Sequence, residues 1–174
     1  MAARAALLAI DATYAEVNVG IGPAREPVWR LGIIGSISHA RGFAAAVAVR
    51  RPVYTGVGIY VEDVVAADSH AALRAIALNE CEFDYVRRMT GSLTLDTLLT
   101  IAFSAKESLF KAAYPSVGRY FDFSAAQLLK IDIDAGTLAI TLTESLSADF
   151  ERGRICCAGF ELLASDVVLT HCVV

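Results

Sequence analysis

A carboxylate interrupts the apolar stripe of the helix that the sequence predicts over residues 94–113. Glu107 lies four residues after Phe103 and three before Phe110, so it falls on the same helix face as these two aromatic side chains. Because burying an unpaired carboxylate costs several kcal/mol, Glu107 needs a partner, a metal ion or a wet cleft. Lys111 follows at the i,i+4 spacing, so an ordinary helix ion pair is one explanation and a functional carboxylate is the other.

A second acidic side chain lies in the strand predicted over residues 55–62. The alternation of this strand places Gly58, Tyr60 and Glu62 on the face opposite the aliphatic residues. Glu62 therefore points away from the aliphatic face. Two environments remain open for it, a cleft or the solvent at the end of the strand.

Short polar donors occur in the segment Gly35-Ser36-Ile37-Ser38-His39. Two hydroxyls and an imidazole at the end of a strand can bind a phosphate group. The sequence contains no GxSxG motif and no recognisable acidic partner for His39, so it does not support a hydrolase triad.

The charge distribution narrows the class of ligand. The net charge of −4 argues against a general nucleic-acid binder. Between residues 25 and 51, however, five arginines and one glutamate give a local charge of +4 (5 − 1). Such a region is either a solvated face or a binding site for a polyanionic ligand. The charged residues are Arg25, Glu26, Arg30, Arg41, Arg50 and Arg51.

The elements that carry these side chains follow the order helix, strands, helices, strands, which predicts an α+β protein. We predict helices over residues 2–14, 68–88 and 94–113, the second starting at Asp68 or Ser69 and the third ending at Tyr114 and Pro115. We predict strands over residues 32–38, 42–50, 55–62, 128–134, 137–143, 154–163 and 167–173.

The composition of the chain indicates a folded core, no membrane span and a reducing environment. Hydrophobic residues make up 56% of the 174 residues, enough for a sizeable core. No stretch approaches the roughly 20 apolar residues of a spanning helix, so we expect no membrane span. Four cysteines without CxxC spacing are typical of buried thiols in a reducing, cytoplasmic environment.

Four motifs, taken in order, resemble those of the 4′-phosphopantetheinyl transferases of the enterobactin-synthetase and surfactin type. They are Arg25-Glu26-Pro27-Val28-Trp29, Gly35-Ser36-Ile37-Ser38-His39, Gly58-Ile59-Tyr60-Val61-Glu62 and Phe103-Ser104-Ala105-Lys106-Glu107-Ser108-Leu109-Phe110-Lys111. The resemblance implies a monomeric pseudo-dimer of two similar α/β halves with coenzyme A between them. We expect residues 1–66 to form a partial first half and residues 67–174 the second.

The resemblance also implies a reaction and its residues. The 4′-phosphopantetheine arm of coenzyme A would move to a serine of an apo acyl or peptidyl carrier protein, in siderophore or other nonribosomal peptide synthesis, with Mg²⁺ neutralising the pyrophosphate. By motif position, Glu62 and Glu107 would bind Mg²⁺, and Glu107 would also be the catalytic base. Lys111 would hold a phosphate of the pyrophosphate, and Arg25, Ser38 and His39 would bind coenzyme A.

The chain departs from the family pattern at two places. Tyr60 stands where the family has an aspartate metal ligand, and a phenol with an ordinary pKa of about 10 is neutral at neutral pH and a poor Mg²⁺ ligand. The N-terminal segment with a Gly-Arg pair has no clear match, apart from Arg4, so we expect a shortened first half whose apolar surface is covered by a partner or by self-association.

These departures keep three functions open. The first is an active transferase, impaired by Tyr60. The second is a catalytically weak or inactive homologue that binds coenzyme A or a carrier protein. The third is a changed chemistry, such as hydrolysis of a related nucleotide ester. No residue of the sequence directly indicates this third function.

Overall fold

The computed structural model describes residues 1–23 and 25–174 and confirms the predicted α+β class. The helices are α1 (Ala2–Ile10), α2 (His70–Ile76), α3 (Glu80–Arg88) and α4 (Leu95–Val117). The strands are β1 (Gly20–Ile21), β2 (Pro27–Val28), β3 (Ile33–Ala40), β4 (Phe43–Arg50), β5 (Val57–Asp63), β6 (Ala126–Asp132), β7 (Thr137–Leu142), β8 (Ile155–Ala164) and β9 (Val167–Val173).

The N-terminal part is built on the β3–β4 hairpin. The two strands pair antiparallel without a bulge, from Ile33 opposite Arg50 to Ala40 opposite Phe43. The two residues of the turn, Arg41 and Gly42, have φ values of 38° and 85°, the left-handed conformation that tight hairpin turns need. Helix α1 packs against β4.

The C-terminal part is a five-stranded antiparallel sheet in the order β5-β9-β8-β7-β6. Helix α4 lies across the sheet and supplies fully buried side chains such as Leu98, Leu99 and Leu109. Gly56 and Gly58 permit this approach, because a Cβ at either position would overlap the backbone carbonyl oxygens of α4. Strand β5 thus belongs to the sheet of the C-terminal part, and the division of the chain at residue 66 stays a prediction.

Three helix boundaries differ from the sequence prediction. The helix predicted over 2–14 ends at Ile10, because Asp11 is extended (φ −163°, ψ 132°) and starts a separate 3-10 turn over Ala12–Tyr14. The single helix predicted over 68–88 is two helices, because Asn79 starts α3 with a capping box: its side chain accepts from the Glu82 N–H and the Glu82 side chain accepts from the Asn79 N–H. Helix α4 continues beyond Pro115 to Val117. It ends at Gly118, whose φ of 68° suits a left-handed C-cap and whose N–H donates to the Tyr114 carbonyl.

Pro115 cannot donate to the Lys111 carbonyl, so α4 lacks one backbone hydrogen bond there, and the helix ends two residues later at Val117. Within the described residues, no helix is long and apolar enough to cross a membrane.

Candidate functional site

The two parts of the chain meet where β3 runs beside the free edge of β5. The Ile59 N–H donates to Ser36 Oγ at 3.1 Å, and the Val61 N–H donates to Ser38 Oγ at 3.0 Å. The two serines are only 3% and 6% exposed. Serine hydroxyls therefore accept the hydrogen bonds of these two backbone N–H groups at the edge of β5, in place of the carbonyls of a paired strand. We call this contact between β3 and β5 the seam.

Lys111 of α4 crosses the seam. Its Nζ donates to the carbonyl of Ile37 on β3 at 3.0 Å and to the carbonyl of Ile59 on β5 at 3.2 Å. The same Nζ lies 4.6 Å from the centroid of the Tyr60 ring. Burial lowers the pKa of Lys111, and the Glu107 carboxylate opposes that shift.

The structure lacks the helix ion pair between Glu107 and Lys111, one of the two explanations that their spacing left open. No ion pair within 4.0 Å joins them, although both residues are described. The i,i+4 spacing brings the two side chains to the same face, but two backbone carbonyls take the Lys111 ammonium instead. Glu107 therefore lies on the apolar face of α4 close to Lys111 but without an ion pair to it.

Glu107, Glu62 and Tyr60 form an electrostatically coupled group. Burial raises the pKa of Glu107, with Lys111 opposing the shift and Glu62 adding to it. Burial also raises the pKa of Tyr60, and the charges of Glu107 and Glu62 raise it further. The Tyr60 phenol is therefore neutral at physiological pH, as the sequence predicted.

Aromatic side chains enclose one flank of this group. The Tyr60 ring meets the Phe103 ring edge to face, with centroids 5.9 Å apart and planes at 88°, and Phe103 in turn lies 5.5 Å from Phe123. A cavity of about 50 Å³ opens beside Glu107 and is bounded by Phe110 and Tyr120. A second cavity of about 220 Å³ shares its wall at Lys106, Phe123 and Ala126.

Sequence reasoning missed a buried ion pair behind the site. Lys106 Nζ lies 2.7 Å from Glu82 Oε1, and both side chains are only 2% exposed. Nζ also donates to the Ala77 carbonyl, and the Glu82 carboxylate accepts from the N–H groups of Asn79 and Leu128. Burial lowers the pKa of Lys106 and Glu82 opposes that shift. The Asn-x-x-Glu spacing of a capping box was the available signal for Glu82.

The residues expected to bind coenzyme A lie in different environments. Ser38 is buried in the seam, so only its hydroxyl proton remains available to another acceptor. His39 is exposed near the end of β3. Arg25 is exposed between β1 and β2, with a φ of 64°.

Ion pairs within the fold neutralise part of the positive charge of residues 25–51. The Arg41 guanidinium forms ion pairs with Asp63 at 3.3 Å and with Asp166 at 2.9 Å. These ion pairs connect the β3–β4 turn to the C-terminal part. Arg50 pairs with Asp11 at 3.4 Å. The local +4 of the sequence therefore overstates the charge available to a ligand.

Two carboxylates and an ammonium group thus lie together where the two parts of an α+β chain meet. Comparisons with known proteins assign the family. The family description "4'-phosphopantetheinyl transferase superfamily" matches residues 56–168, and "4'-phosphopantetheinyl transferase N-terminal domain" matches residues 1–49. The chain belongs to the 4′-phosphopantetheinyl transferase superfamily.

Curated relatives support this assignment. Enterobactin synthase component D of Escherichia coli O157:H7 is 38% identical over 93 residues, covering 53% of this chain and 42% of that protein. The 4'-phosphopantetheinyl transferase PptT of Mycobacterium tuberculosis is 36% identical over 109 residues, covering 62% and 45%. Svp of Streptomyces mobaraensis is 34% identical over 117 residues, covering 67% and 46%. The chain spans about half the length of these relatives.

A solved structure shows a partial likeness. The holo-(acyl-carrier-protein) synthase of Bacillus anthracis, in complex with CoA (3',5'-ADP), has a TM-score of 0.44 and 15% identity. The match covers 69% of this chain and 95% of that one.

Proposed function

We propose that the chain transfers the 4′-phosphopantetheine arm of coenzyme A to a serine of an acyl or peptidyl carrier protein. The observation that carries the proposal is the part-buried Glu107 carboxylate, whose pKa responds to both Lys111 and Glu62, on a helix whose Lys111 reaches the seam in a chain of this family. In the reaction, the serine oxygen attacks the phosphorus that bears the pantetheine. The bond from that phosphorus to the bridging oxygen breaks, and adenosine 3′,5′-bisphosphate leaves with that oxygen.

Glu107 suits the role of general base. Its carboxylate is part-buried, close to Lys111 but without an ion pair to it, and burial raises its pKa. A raised pKa strengthens a carboxylate as a proton acceptor. Glu107 would take the serine proton, directly or through water.

Lys111 suits the role of phosphate binder. Its ammonium carries a positive charge at the seam, and its two protein acceptors there are uncharged carbonyl oxygens. One of its three N–H groups remains free of these two bonds. An incoming phosphate oxygen is a charged acceptor and would form a stronger hydrogen bond than a carbonyl.

The donor set fits a magnesium ion held jointly with substrate. Mg²⁺ usually binds through one or two carboxylates, with phosphate oxygens and water completing its shell, and Glu62 and Glu107 supply two carboxylates. Among the described side chains, no group of three or more acidic, histidine or cysteine residues could hold a metal on its own. When bound, the ion would neutralise charge on the pyrophosphate.

The remaining roles follow from the family. Arg25, Ser38 and His39 would contact coenzyme A, chiefly near its 3′-phosphate. The two halves would correspond to residues 1–66 and 67–174, acting as a monomer in the cytoplasm. The carrier would belong to a siderophore or other nonribosomal peptide pathway, as the resemblance to the enterobactin-synthetase type implies.

A second candidate is a homologue that binds coenzyme A or a carrier protein without transfer. Tyr60 favours it, because a neutral phenol occupies the position at which the family carries a metal-binding aspartate. Losing one carboxylate ligand should weaken Mg²⁺ binding by at least about 10–100-fold, the cost of more distant changes around a metal.

Intact-protein mass spectrometry separates the two candidates. The chain is incubated with coenzyme A, Mg²⁺ and an apo peptidyl carrier protein, and the phosphopantetheine adduct is measured for the natural sequence and for Tyr60→Asp. An adduct with the natural chain supports transfer, and an adduct only with Tyr60→Asp indicates a weakened metal site. Coenzyme A binding by calorimetry, without an adduct from either protein, supports the non-catalytic candidate.

A further inference from the structure

The Tyr60 ring lies between two side chains of α4. One face of the ring lies 4.6 Å from Lys111 Nζ, within the range of a cation–π contact. The ring also meets Phe103 edge to face, at 5.9 Å and 88°. Tyr60 is thus packed on the helix that carries both Glu107 and Lys111.

We propose that Tyr60 is a positioning residue whose aromatic face holds the Lys111 ammonium in place at the seam. The effect of this contact on catalysis rests on the proposed transferase function, whereas the contact between the Tyr60 ring and Lys111 does not. In this role Tyr60 contributes to the site and does not merely replace a metal-binding aspartate. It would supply a neutral aromatic surface for the Lys111 cation.

The hydrogen bonds of Lys111 explain why such a surface matters. The carbonyls of Ile37 and Ile59 accept from two of the three ammonium N–H groups. The electron-rich face of the ring attracts the same cation through its quadrupole without competing for those protons. The Lys111 side chain is therefore restrained by two strands and by the ring, while one N–H stays free for phosphate.

Phe103 holds the ring in the orientation that this contact needs. An edge-to-face aromatic pair is directional, so Phe103 limits rotation of the Tyr60 ring away from Lys111. The interaction depends on the ring face and not on the hydroxyl. The hydroxyl would matter if Tyr60 acted instead as a metal ligand, so removing it distinguishes the two roles.

The test compares Tyr60→Phe, which keeps the ring, with Tyr60→Leu and Tyr60→Met, which keep bulk without an aromatic face. Tyr54→Leu, at an exposed tyrosine before β5, is the matched control for losing an aromatic side chain. The first readout needs no substrate: the rate at which an amine-acylating reagent labels Lys111, measured by peptide mass spectrometry. The second is the KM for coenzyme A and the kcat of transfer.

We expect Lys111 to be labelled about fivefold faster in Tyr60→Leu and Tyr60→Met than in Tyr60→Phe, the scale of one cation–π contact. The KM for coenzyme A should rise by a similar factor in those two variants relative to Tyr60→Phe, with a smaller change in kcat. The Tyr54→Leu control should match the natural chain. Because two non-aromatic variants are used, misfolding of one leaves the comparison intact.

The two readouts separate failure of the inference from failure of the proposed function. Faster labelling of the non-aromatic variants, with no transfer by any protein, supports the positioning role and contradicts the transferase function. Equal labelling of Lys111 in all Tyr60 variants overturns the positioning role, whatever the activity. Transfer that falls as far in Tyr60→Phe as in Tyr60→Leu also overturns it, because the hydroxyl would then be the functional group.

Discussion

Replacing Ser36 with alanine tests whether serine hydroxyls join the two parts of the chain. Ser36 Oγ accepts the Ile59 N–H at 3.1 Å, and both residues are buried. No role in substrate binding is proposed for Ser36, so its loss probes the seam alone. The alanine has no acceptor, and the buried amide cannot be reached easily by water.

The expected loss follows from that burial. A hydrogen bond exchanged with water contributes about 0.5–1.5 kcal/mol, whereas a buried donor left unsatisfied costs about 1–3 kcal/mol. Ser36→Ala should therefore lower the free energy of unfolding by about 1–3 kcal/mol. For a chain of this size, each 1 kcal/mol corresponds to about 2–4 °C in Tm. The double variant with Ser38→Ala removes both hydroxyls and should lose about twice as much.

Urea unfolding followed by circular dichroism measures this loss, with an unchanged m-value showing that the extent of unfolding is the same. Ser92→Ala is the matched control, since Ser92 is exposed and substitutions at such sites usually change stability by no more than about 0.5 kcal/mol. A Ser36→Ala variant as stable as Ser92→Ala would refute the serine-bridged seam.

Three further predictions concern the surroundings of the site. Gly58→Ala should lower Tm and cost at least about 2–3 kcal/mol in urea, because the new Cβ overlaps the Ser108 carbonyl; a variant of natural stability would contradict the close packing of α4. Lys106→Met should cost about 3–5 kcal/mol in the same assay, because it leaves the Glu82 carboxylate buried without its cation, and a neutral result would contradict the pair. Glu107→Gln should be more stable than the natural chain at neutral pH. Because the pKa of Glu107 is raised in the folded state, the natural chain loses stability as the pH rises through that pKa. The difference in free energy of unfolding between Glu107→Gln and the natural chain should therefore vanish at pH values below the ordinary pKa of glutamate. A difference that does not change with pH would contradict burial as its cause.

The sequence could predict the elements but not all of their ends. Period-two alternation located β5 and placed Tyr60 and Glu62 on one face, because that period is a local property of the chain. The break before Asn79 was overlooked because both flanking segments are helical in composition, and only the cap marks the join. Pro115 predicts a helix end because it lacks an N–H, but only the one bond to the Lys111 carbonyl is lost and α4 continues for two more residues.

The site was predictable as a set of residues but not as a set of contacts. The spacing of Glu107 on an apolar face indicated a carboxylate that required an explanation, and the family motif indicated Glu62 and Lys111. The ion pair that the i,i+4 spacing allowed for Lys111 does not form, because the Ile37 and Ile59 carbonyls become its neighbours only when β3 and β5 meet. The bonds of Ser36 and Ser38 have the same tertiary origin.

In the proposed reaction, Glu107 removes the proton from the carrier serine. The most direct test of this role is single-turnover transfer with saturating coenzyme A and Mg²⁺, comparing the natural chain with Glu107→Gln and with Glu161→Gln, an exposed control on β8. We expect Glu107→Gln to lose at least about 100-fold in transfer rate, the scale of general-base catalysis, while Glu161→Gln retains the natural rate. Transfer by Glu107→Gln at the natural rate would contradict this role.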